Sequence, residues 1–311
     1  MEKLKKQIIK YFLLCSFGIA LLESMLDSLY DDRLFPIAKD STQLMSILLV
    51  SYGFFTVFIF AVFAAIFYKL ADSKIKEETA RQLEEKNHLY ANIAHDLKTP
   101  ITSIVGFASA LKNGKLSTEE NVNAIDIIYT KAKRTDKLIN ELFSYSKLES
   151  NAYELCLKKQ DVCAVVRALL AEAYQEFEDR NMELKIDIPD TPIYCMIDKI
   201  EFERAINNLI ENAYKHNRPK IQVYIAVQEF ENMVRIIVAD TGNAIDTAIA
   251  QTIFEPFICG DDSRNSSGGS GLGLAISRKA IEKQKGKLYL STEISGYAKG
   301  FIVEIGICRW K

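Results

Sequence analysis

Two long apolar segments near the N-terminus, residues 8–29 and 44–68, constrain the fold of this chain more than any other feature of its sequence. A helix needs about 20 apolar residues to cross a lipid bilayer, and both segments reach that length. The second segment contains no charged residue. The first is too long for a cleaved leader and lacks a small-residue cleavage site. We therefore predict two transmembrane helices in a membrane region, 1–72.

Lysines around these segments predict their orientation. They lie at the start of the first segment and after the second, at Lys3, Lys5, Lys6, Lys10, Lys69, Lys74 and Lys76. Because lysine favours the cytoplasmic side, we predict a multi-pass protein of the inner membrane with both termini in the cytoplasm. The external loop, 30–43, is too short to bury a core, so we expect no folded sensor domain there. Glu23 and Asp27 are solvated at the headgroup level, or alternatively Glu23 faces the partner helix or senses a ligand.

The segment 73–112 has the pattern of a helix that pairs with another helix. Leu83, Tyr90 and Leu97 recur every seven residues, as in a coiled-coil seam. The turn 113–115 contains Asn-Gly and ends this helix.

A second helix is predicted to begin after Ser117, because Ser117 and Glu120 have the spacing of a capping box. The apolar residues of this helix fall mainly on one face. They are Val122, Ile125, Tyr129, Ala132, Ile139, Leu142 and Tyr145. Two helices cannot bury that face alone, so 73–150 predicts a dimeric four-helix bundle, with a hairpin packed on its own C-terminal domain as the alternative.

Beyond residue 150 the pattern changes to alternating strands and helices. We predict strands at 153–157, 183–188, 193–197, 221–228, 234–239, 288–292 and 301–307. We predict helices from Asp161 to about Arg180, from Asp198 to Lys215, at 246–253 and at 271–284. The polar, Gly/Ser-rich run 260–270 is expected to be a loop. Together 151–311 predicts a two-layer α/β sandwich that forms one domain.

Composition narrows the function. The net charge of −2 gives no sign of a nucleic-acid partner. The six cysteines are scattered, without the paired spacing of a metal site, and are expected to be reduced thiols.

The run HDLKTPI at 95–101 places a histidine beside a carboxylate on a helix. His95 offers a nucleophilic nitrogen, and Asp96 is a candidate general base. Thr99 lies one turn further on the same face, where its hydroxyl can position a water. Pro100 can bend the helix just beyond the site. In isolation the pair is also compatible with an ordinary surface contact.

The helix that begins after Asp198 carries a second cluster. Asn208 and Asn212 are four residues apart and share a face, and Lys215 follows one turn later. Amide oxygens can complete a Mg²⁺ shell that also contains water and phosphate, and the lysine can neutralise phosphate charge. The alternative is an exposed polar helix face.

Two further motifs indicate nucleotide binding. Asp240 ends an apolar strand and can accept the exocyclic amine of adenine, while Gly242 permits a close backbone approach. The glycine-rich run opens a helix, whose N-terminus favours phosphate. Its candidate contacts are Gly269, Ser270, Gly271, Leu272 and Gly273. No Lys-Ser/Thr follows the last glycine, so this is not a P-loop.

These blocks, in this order, resemble the sensor histidine kinases of bacterial two-component systems, over roughly 83–307. The resemblance implies a dimeric helical bundle that carries the phosphorylated histidine. It also implies an ATP domain with the fold shared by gyrase and Hsp90. ATP and Mg²⁺ are the implied cofactors.

The resemblance also assigns roles to single residues. His95 looks like the phospho-acceptor, Asp96 like its general base and Thr99 like the residue that orients water for dephosphorylation. Asn212 is similar to the Mg²⁺ ligand, supported by Asn208. Lys215 and His216 look like phosphate and nucleotide contacts, Asp240 with Gly242 like the adenine reader, and the glycine-rich run like the lid hinge and phosphate loop.

The chain departs from the family pattern in its adenine motif and in its lid. Ala244 stands where the family usually has a second glycine, so we expect strain from a positive φ there. An aromatic segment, 254–257, looks like the lid anchor, but Ile258 and Cys259 replace the usual Tyr-Arg. Arg264 is the candidate substitute for the missing basic contact.

The function implied is autophosphorylation of His95 from Mg-ATP, followed by transfer to an aspartate on a cytoplasmic response regulator. Phosphatase activity toward that regulator is also implied. The short external loop is similar to that of small intramembrane-sensing kinases, which suggests envelope or antimicrobial-peptide stress and a transporter or peptide ligand. A non-catalytic membrane scaffold with a degraded nucleotide site is the first alternative, and an ATP-hydrolysing machine is the second.

Overall fold

A computed structural model of the chain describes residues 2–114, 116–150, 152–258 and 270–308. It divides into two compact units, Met1–Tyr90 and Ala91–Lys311.

The N-terminal unit is helical. Helix α1 spans Glu2–Leu29, a single-turn π-helix spans Tyr30–Leu34, α2 spans Phe35–Ile37, and α3 begins at Thr42. The stretches Leu4–Ile37 and Thr42–Lys112 are long and apolar enough to cross a membrane, judged by length and composition alone.

The predicted external connection, 30–43, is helical over much of its length, since the helical conformation continues to Ile37. Pro36 does not break it, because it lies in the first turn of α2, where a backbone N–H is not needed. The chain leaves the helix only at 38–41. The Ser41 hydroxyl then accepts a hydrogen bond from Leu44 N–H at 3.3 Å, as a helix cap does.

Polar groups pair inside this unit. The Tyr52 hydroxyl donates to Asp27 Oδ1 at 2.7 Å, and the hydroxyls of Tyr30 and Ser51 are 2.8 Å apart. Asp27 therefore has a hydrogen-bond partner on the second apolar helix. Its side chain belongs to the contact between the two helices rather than to solvent alone.

Helix α3 runs from Thr42 to Lys112 and continues through Pro100. Helix α4 spans Thr118–Glu149, and its predicted capping box is confirmed. Glu120 N–H donates to the Ser117 hydroxyl at 3.4 Å, and Ser117 N–H donates to Glu120 Oε2 at 2.8 Å. The hydrogen bond from the Ser117 backbone to the carboxylate also holds the pKa of Glu120 below its ordinary value.

The apolar residues of α4 do not share one environment within this chain. Tyr145 is buried, together with Ala124, Leu138 and Leu148. Other large apolar side chains remain exposed, namely Val122, Ile125, Tyr129, Ile139 and Phe143. One part of the helix packs within this chain against the C-terminal domain, and a second apolar surface is left uncovered.

The C-terminal domain has a two-stranded and a five-stranded sheet. Its strands are β1 (Lys158–Asp161), β2 (Glu183–Asp187), β3 (Tyr194–Ile197), β4 (Gln222–Phe230), β5 (Met233–Asp240), β6 (Lys287–Ser291) and β7 (Lys299–Gly306). The helices among its described residues are α5 (Val162–Asp179), α6 (Lys199–Lys215), α7 (Thr247–Ala250) and α8 (Gly273–Lys283). The large sheet has the order β2-β4-β5-β7-β6; β2 is parallel to β4, and the other pairs are antiparallel. Strand β1 pairs with β3.

Side-chain caps begin the two central helices as predicted. Asp161 accepts from Cys163 N–H, and Asp198 accepts from Ile200 and Glu201 N–H. The apolar faces of α5, α6 and α8 then pack on the strands. Cys195 is fully buried in this core, and burial raises the pKa of its thiol to about 12.

The predicted strand at 153–157 is absent, and β1 begins only at Lys158. Side chains of α6 hold this segment instead. The Tyr153 hydroxyl donates to Glu201 Oε1 at 2.9 Å, and Cys156 N–H donates to Asp198 Oδ2 at 2.9 Å. The Tyr153 hydroxyl and the Cys156 N–H are therefore bonded at the N-terminus of a helix and not by a neighbouring strand.

Candidate functional site

The candidate acceptor lies on an exposed face of α3. His95 Nδ1 is 3.0 Å from Asp96 Oδ1, and 80% of the His95 side chain is exposed. Because a carboxylate only accepts hydrogen bonds, this contact places a proton on Nδ1 and leaves the lone pair on Nε2. An exposed Nε2 can approach a phosphate donor.

Thr99 lies next to this pair along the helix. Its hydroxyl donates to the His95 carbonyl at 3.3 Å, so its proton is engaged with the backbone. The oxygen can still accept a hydrogen bond from a water molecule.

Asn208 joins α6 to the helix that follows the glycine-rich run. Its Nδ2 donates to the Gly273 carbonyl at 3.1 Å and to the Ser277 hydroxyl at 3.3 Å. Asn212 lies one turn further along the same face and is half-buried. The amide of Asn208 thus positions the N-terminus of α8 beside α6.

Two basic residues, Lys215 and His216, lie at the end of α6. Lys215 forms an ion pair with Glu211. The pKa of His216 is lowered, first because desolvation disfavours the imidazolium and second because Lys215, Lys299 and Lys137 bring positive charge near. A lowered pKa favours the neutral imidazole at neutral pH, so we expect His216 to act there as a neutral hydrogen-bonding group.

The candidate adenine reader lies at the end of β5. Asp240 is buried, and its Oδ1 accepts from Gly242 N–H at 2.9 Å. Gly242 is needed for space, because a Cβ there would lie 1.9 Å from Asn217 Oδ1. The expectation of strain at Ala244 was wrong, since Ala244 is not among the described non-glycine residues with positive φ.

The glycine-rich run is described from Ser270 onward, so Gly269 lies outside the described residues. Ser270 donates to Glu141 of α4 and accepts from Leu272 N–H at 3.1 Å. Gly271 has φ +69°, a conformation that favours glycine. Helix α8 begins at Gly273, two residues later than predicted.

The candidate lid is anchored on both sides. Phe257 is buried, has φ +64°, and donates its backbone N–H to the Gly271 carbonyl at 3.0 Å. Phe254 packs edge to face against Phe301, with ring centroids 6.1 Å apart. Cys259 and Arg264 lie outside the described residues.

Two side chains that are predicted to contact phosphate, Lys215 and Ser270, already contact carboxylates of this chain. Glu211 holds Lys215 and Glu141 holds Ser270. Lys137 Nζ lies 3.7 Å from Glu141 Oε1 and 4.0 Å from Glu211 Oε2, and so links the two carboxylates. A nucleotide phosphate would compete with Glu211 and Glu141 for these contacts.

The structure thus brings together Asn208 and Gly273, and separately Asp240 and Gly242. Sequence reasoning missed Glu141, Lys137, Glu211, Asn217 and Lys299. The Glu211–Lys215 pair had a sequence signal, because opposite charges four residues apart on a helix attract one another. The contact of Ser270 with Glu141 spans 129 residues and has no such signal.

Gly242→Ala is expected to weaken nucleotide binding by about tenfold or more, because the added Cβ clashes with Asn217 and forces the turn after Asp240 to shift. The dissociation constant for ADP, measured on the full chain in detergent, tests this. Gly306→Ala is the control, since a Cβ at Gly306, the last residue of β7, meets nothing within 4 Å. Unchanged ADP affinity in a folded Gly242→Ala protein would place the base elsewhere.

Two family profiles match the chain. The His Kinase A (phospho-acceptor) domain matches residues 85–151. The Histidine kinase-, DNA gyrase B-, and HSP90-like ATPase matches residues 197–308.

Individual proteins agree with these profiles. Sensor histidine kinase YcbM of Bacillus subtilis (strain 168) is 28% identical over 215 residues, which are 68% of this chain and 69% of that relative. The solved histidine kinase AdeS of Acinetobacter baumannii has a TM-score of 0.56 at 23% identity, over 69% of this chain and 98% of AdeS.

A second solved structure is histidine kinase ThkA in complex with response regulator protein TrrA. It gives a TM-score of 0.60 at 21% identity, over 76% of this chain and 66% of that one. At these identities the structural likeness concerns the fold. The phospho-acceptor and ATPase domains occur here in one chain and in that order, and the protein therefore belongs to the two-component sensor histidine kinases, which are ATP-dependent protein histidine kinases.

Proposed function

We propose that this kinase phosphorylates its own His95 and passes the phosphoryl group to an aspartate of a cytoplasmic response regulator. The observation that carries the proposal is the exposed His95 imidazole with its Nδ1 on Asp96, upstream of a nucleotide domain of the same chain. The nucleotide would bind between α6 and the glycine-rich run, with its adenine base next to Asp240 and Gly242.

The chemical step follows from the orientation of the imidazole. Nε2 attacks the γ-phosphorus of ATP, a new N–P bond forms, and the bond to the bridging oxygen breaks, so that ADP leaves. The ring gains positive charge as it reacts. Asp96 accepts the hydrogen bond from Nδ1–H and stabilises that charge, which is the role of a general base at this atom.

The α6 residues fit a Mg²⁺ ion. Amide oxygens are hard neutral ligands, and an ion held by Asn212, with Asn208 in support, would take its other ligands from phosphate and water. When bound there, Mg²⁺ would supply positive charge that neutralises the phosphates. Lys215 must leave Glu211 to reach a phosphate, whereas Asn208 already has the α8 N-terminus beside it.

Transfer to a response regulator is supported by the complex of ThkA with TrrA, a relative by fold. Phosphatase activity would use Thr99, whose hydroxyl oxygen remains able to accept from a water near His95. The homodimer is supported by the exposed apolar surface of α4, which a second copy of the same helical hairpin would cover.

For the N-terminal unit we propose two membrane spans with both termini in the cytoplasm. The length and composition of the two apolar stretches and the flanking lysines support this. We propose 73–150 as the dimerisation and phosphotransfer domain and 151–311 as the catalytic domain. Envelope or antimicrobial-peptide stress, sensed through a peptide or transporter, is the proposed stimulus, supported by the short connection at 30–43.

Incubation of the full chain in nanodiscs with γ-labelled ATP tests the function. We expect an acid-labile, base-stable label that requires Mg²⁺ and is lost with EDTA. ATP binding without label, even with added stimulus or regulator, would contradict autophosphorylation. Absence of any ATP binding would favour the non-catalytic scaffold, and steady ATP turnover without labelled protein would favour an ATP-hydrolysing machine.

A further inference from the structure

A lysine that belongs to none of the nucleotide motifs lies against the candidate adenine reader. In the antiparallel pair β5–β7, Lys299 is the register partner of Asp240. Its Nζ is 3.2 Å from Asp240 Oδ1, and the two side chains are only 11% and 4% exposed. The pair is therefore largely shielded from solvent, where a charge interaction is stronger than at a surface.

The same ammonium group makes two further contacts. It donates to the Asn243 carbonyl at 2.8 Å and to Asn217 Oδ1 at 3.2 Å. Asn217 is itself buried and donates its Nδ2 to the Ala213 carbonyl at 2.9 Å. Lys299 thereby ties together β7, the turn that follows Asp240, and the end of α6.

The Lys299 ammonium thus makes two hydrogen bonds, to Asn217 and Asn243, and one ion pair, with Asp240. Because these contacts direct its charge at the carboxylate and the turn that follows it, we expect Lys299 to act on a base through Asp240.

The contacts to Asp240 also distinguish its two oxygens. Gly242 N–H and the Lys299 ammonium both meet Oδ1. With Oδ1 engaged from two sides, the carboxylate is held in one orientation. Its other oxygen is then the one to accept a hydrogen bond from a base.

We propose that Lys299 is a positioning residue for base selection. It fixes the Asp240 carboxylate so that Oδ2 meets the exocyclic amine of adenine and repels the 6-oxo group of a hypoxanthine or guanine base. This inference rests on the proposed role of Asp240 as the base reader. It adds that the preference for adenine depends on the cation behind the carboxylate.

The full chain in detergent, titrated with ADP and with IDP, tests the proposal. IDP differs from ADP at position 6, where an oxo group replaces the amine. We expect the wild type to prefer ADP by about tenfold or more, because a buried acceptor that meets another acceptor is left unpaired. We expect Lys299→Met to lower ADP affinity about tenfold and IDP affinity less than threefold, so that the preference shrinks.

Lys287→Met, at an exposed position on the neighbouring strand β6, should leave both affinities unchanged. Lys299→Met leaves Asp240 buried without its cation, so a second variant guards against misfolding. In an Asp240→Asn background, adding Lys299→Met should not reduce the preference further, because the two residues act as one unit.

An equal loss of ADP and IDP affinity in Lys299→Met would overturn the proposal and assign the lysine a purely structural role. An unchanged preference would overturn it as well, and so would an additive effect in the Asp240→Asn background. If the wild type itself does not distinguish ADP from IDP, Asp240 is not the base reader. The proposed role of Asp240 and the inference about Lys299 then both fail. If the wild type does distinguish them, only the inference about Lys299 is at stake.

Discussion

A His95→Gln protein is expected to lose autophosphorylation by at least about 1,000-fold while its ATP affinity stays unchanged. Glutamine has roughly the length of histidine and keeps a polar tip, but its amide nitrogen is not a nucleophile. Asp96 and the whole nucleotide domain remain intact in this variant, so the loss isolates the acceptor nitrogen. Acid-labile label from γ-labelled ATP measures the effect, and ADP titration verifies the nucleotide site.

The chain offers a matched control for this variant. His88 lies on the same helix, seven residues before His95, and is also exposed. His88→Gln should therefore retain full labelling. Persistent acid-labile label in His95→Gln would assign the acceptor to another histidine, and the only two others in the chain are His88 and His216.

Local signals in the sequence predicted local structure well. Ser117, Asp161 and Asp198 each lie two or three residues from the N–H groups that they cap, and all three helices begin where these residues indicate. The β4–β5 hairpin was predicted for the same reason, because its turn and alternation are contained in one short stretch. Such features depend on residues that are close together along the chain, and a single sequence is enough to identify them.

Contacts between distant segments were not predictable in this way. Lys299 meets Asp240 only because β7 pairs with β5 in a particular register, and a slip of one residue would place Lys299 on the other face. Strand 153–157 failed for a related reason. Its sequence suits a strand, but Asp198 and Glu201 hold it against α6.

Helix α4 shows a different limit. Its apolar pattern indicates that a face needs covering, but the pattern does not state what covers it. The structure buries Tyr145 and Leu148 against the C-terminal domain and leaves Val122, Ile125 and Tyr129 exposed. The two alternatives from the sequence, a dimer and a hairpin packed on its own domain, therefore concern different residues of one helix and are compatible.

Asn212→Ala is expected to reduce Mg²⁺-dependent labelling of His95 by more than about 100-fold, while the dimer persists. The amide oxygen is the proposed protein ligand of the ion, and an ion at the transferred phosphoryl group is worth several kcal/mol of charge stabilisation. Removing the amide leaves the core undisturbed, because Asn212 is half-buried and the apolar face of α6 does not include it. Labelling rate and light-scattering mass, measured on the same preparation, test both parts.

Asn207→Ala is the matched control, because Asn207 lies on the same helix, is equally half-buried and pairs with Glu211 at 3.0 Å. It should label nearly as the wild type does. Asn208→Ala provides the contrast: it removes the bonds to Gly273 and Ser277, so it should also lower the free energy of unfolding, by about 1 kcal/mol or more. If Asn212→Ala labels normally and Asn208→Ala alone loses labelling, the ion lies at Asn208. If excess Mg²⁺ fully restores Asn212→Ala, the residue contributes affinity for the ion and not the geometry of transfer.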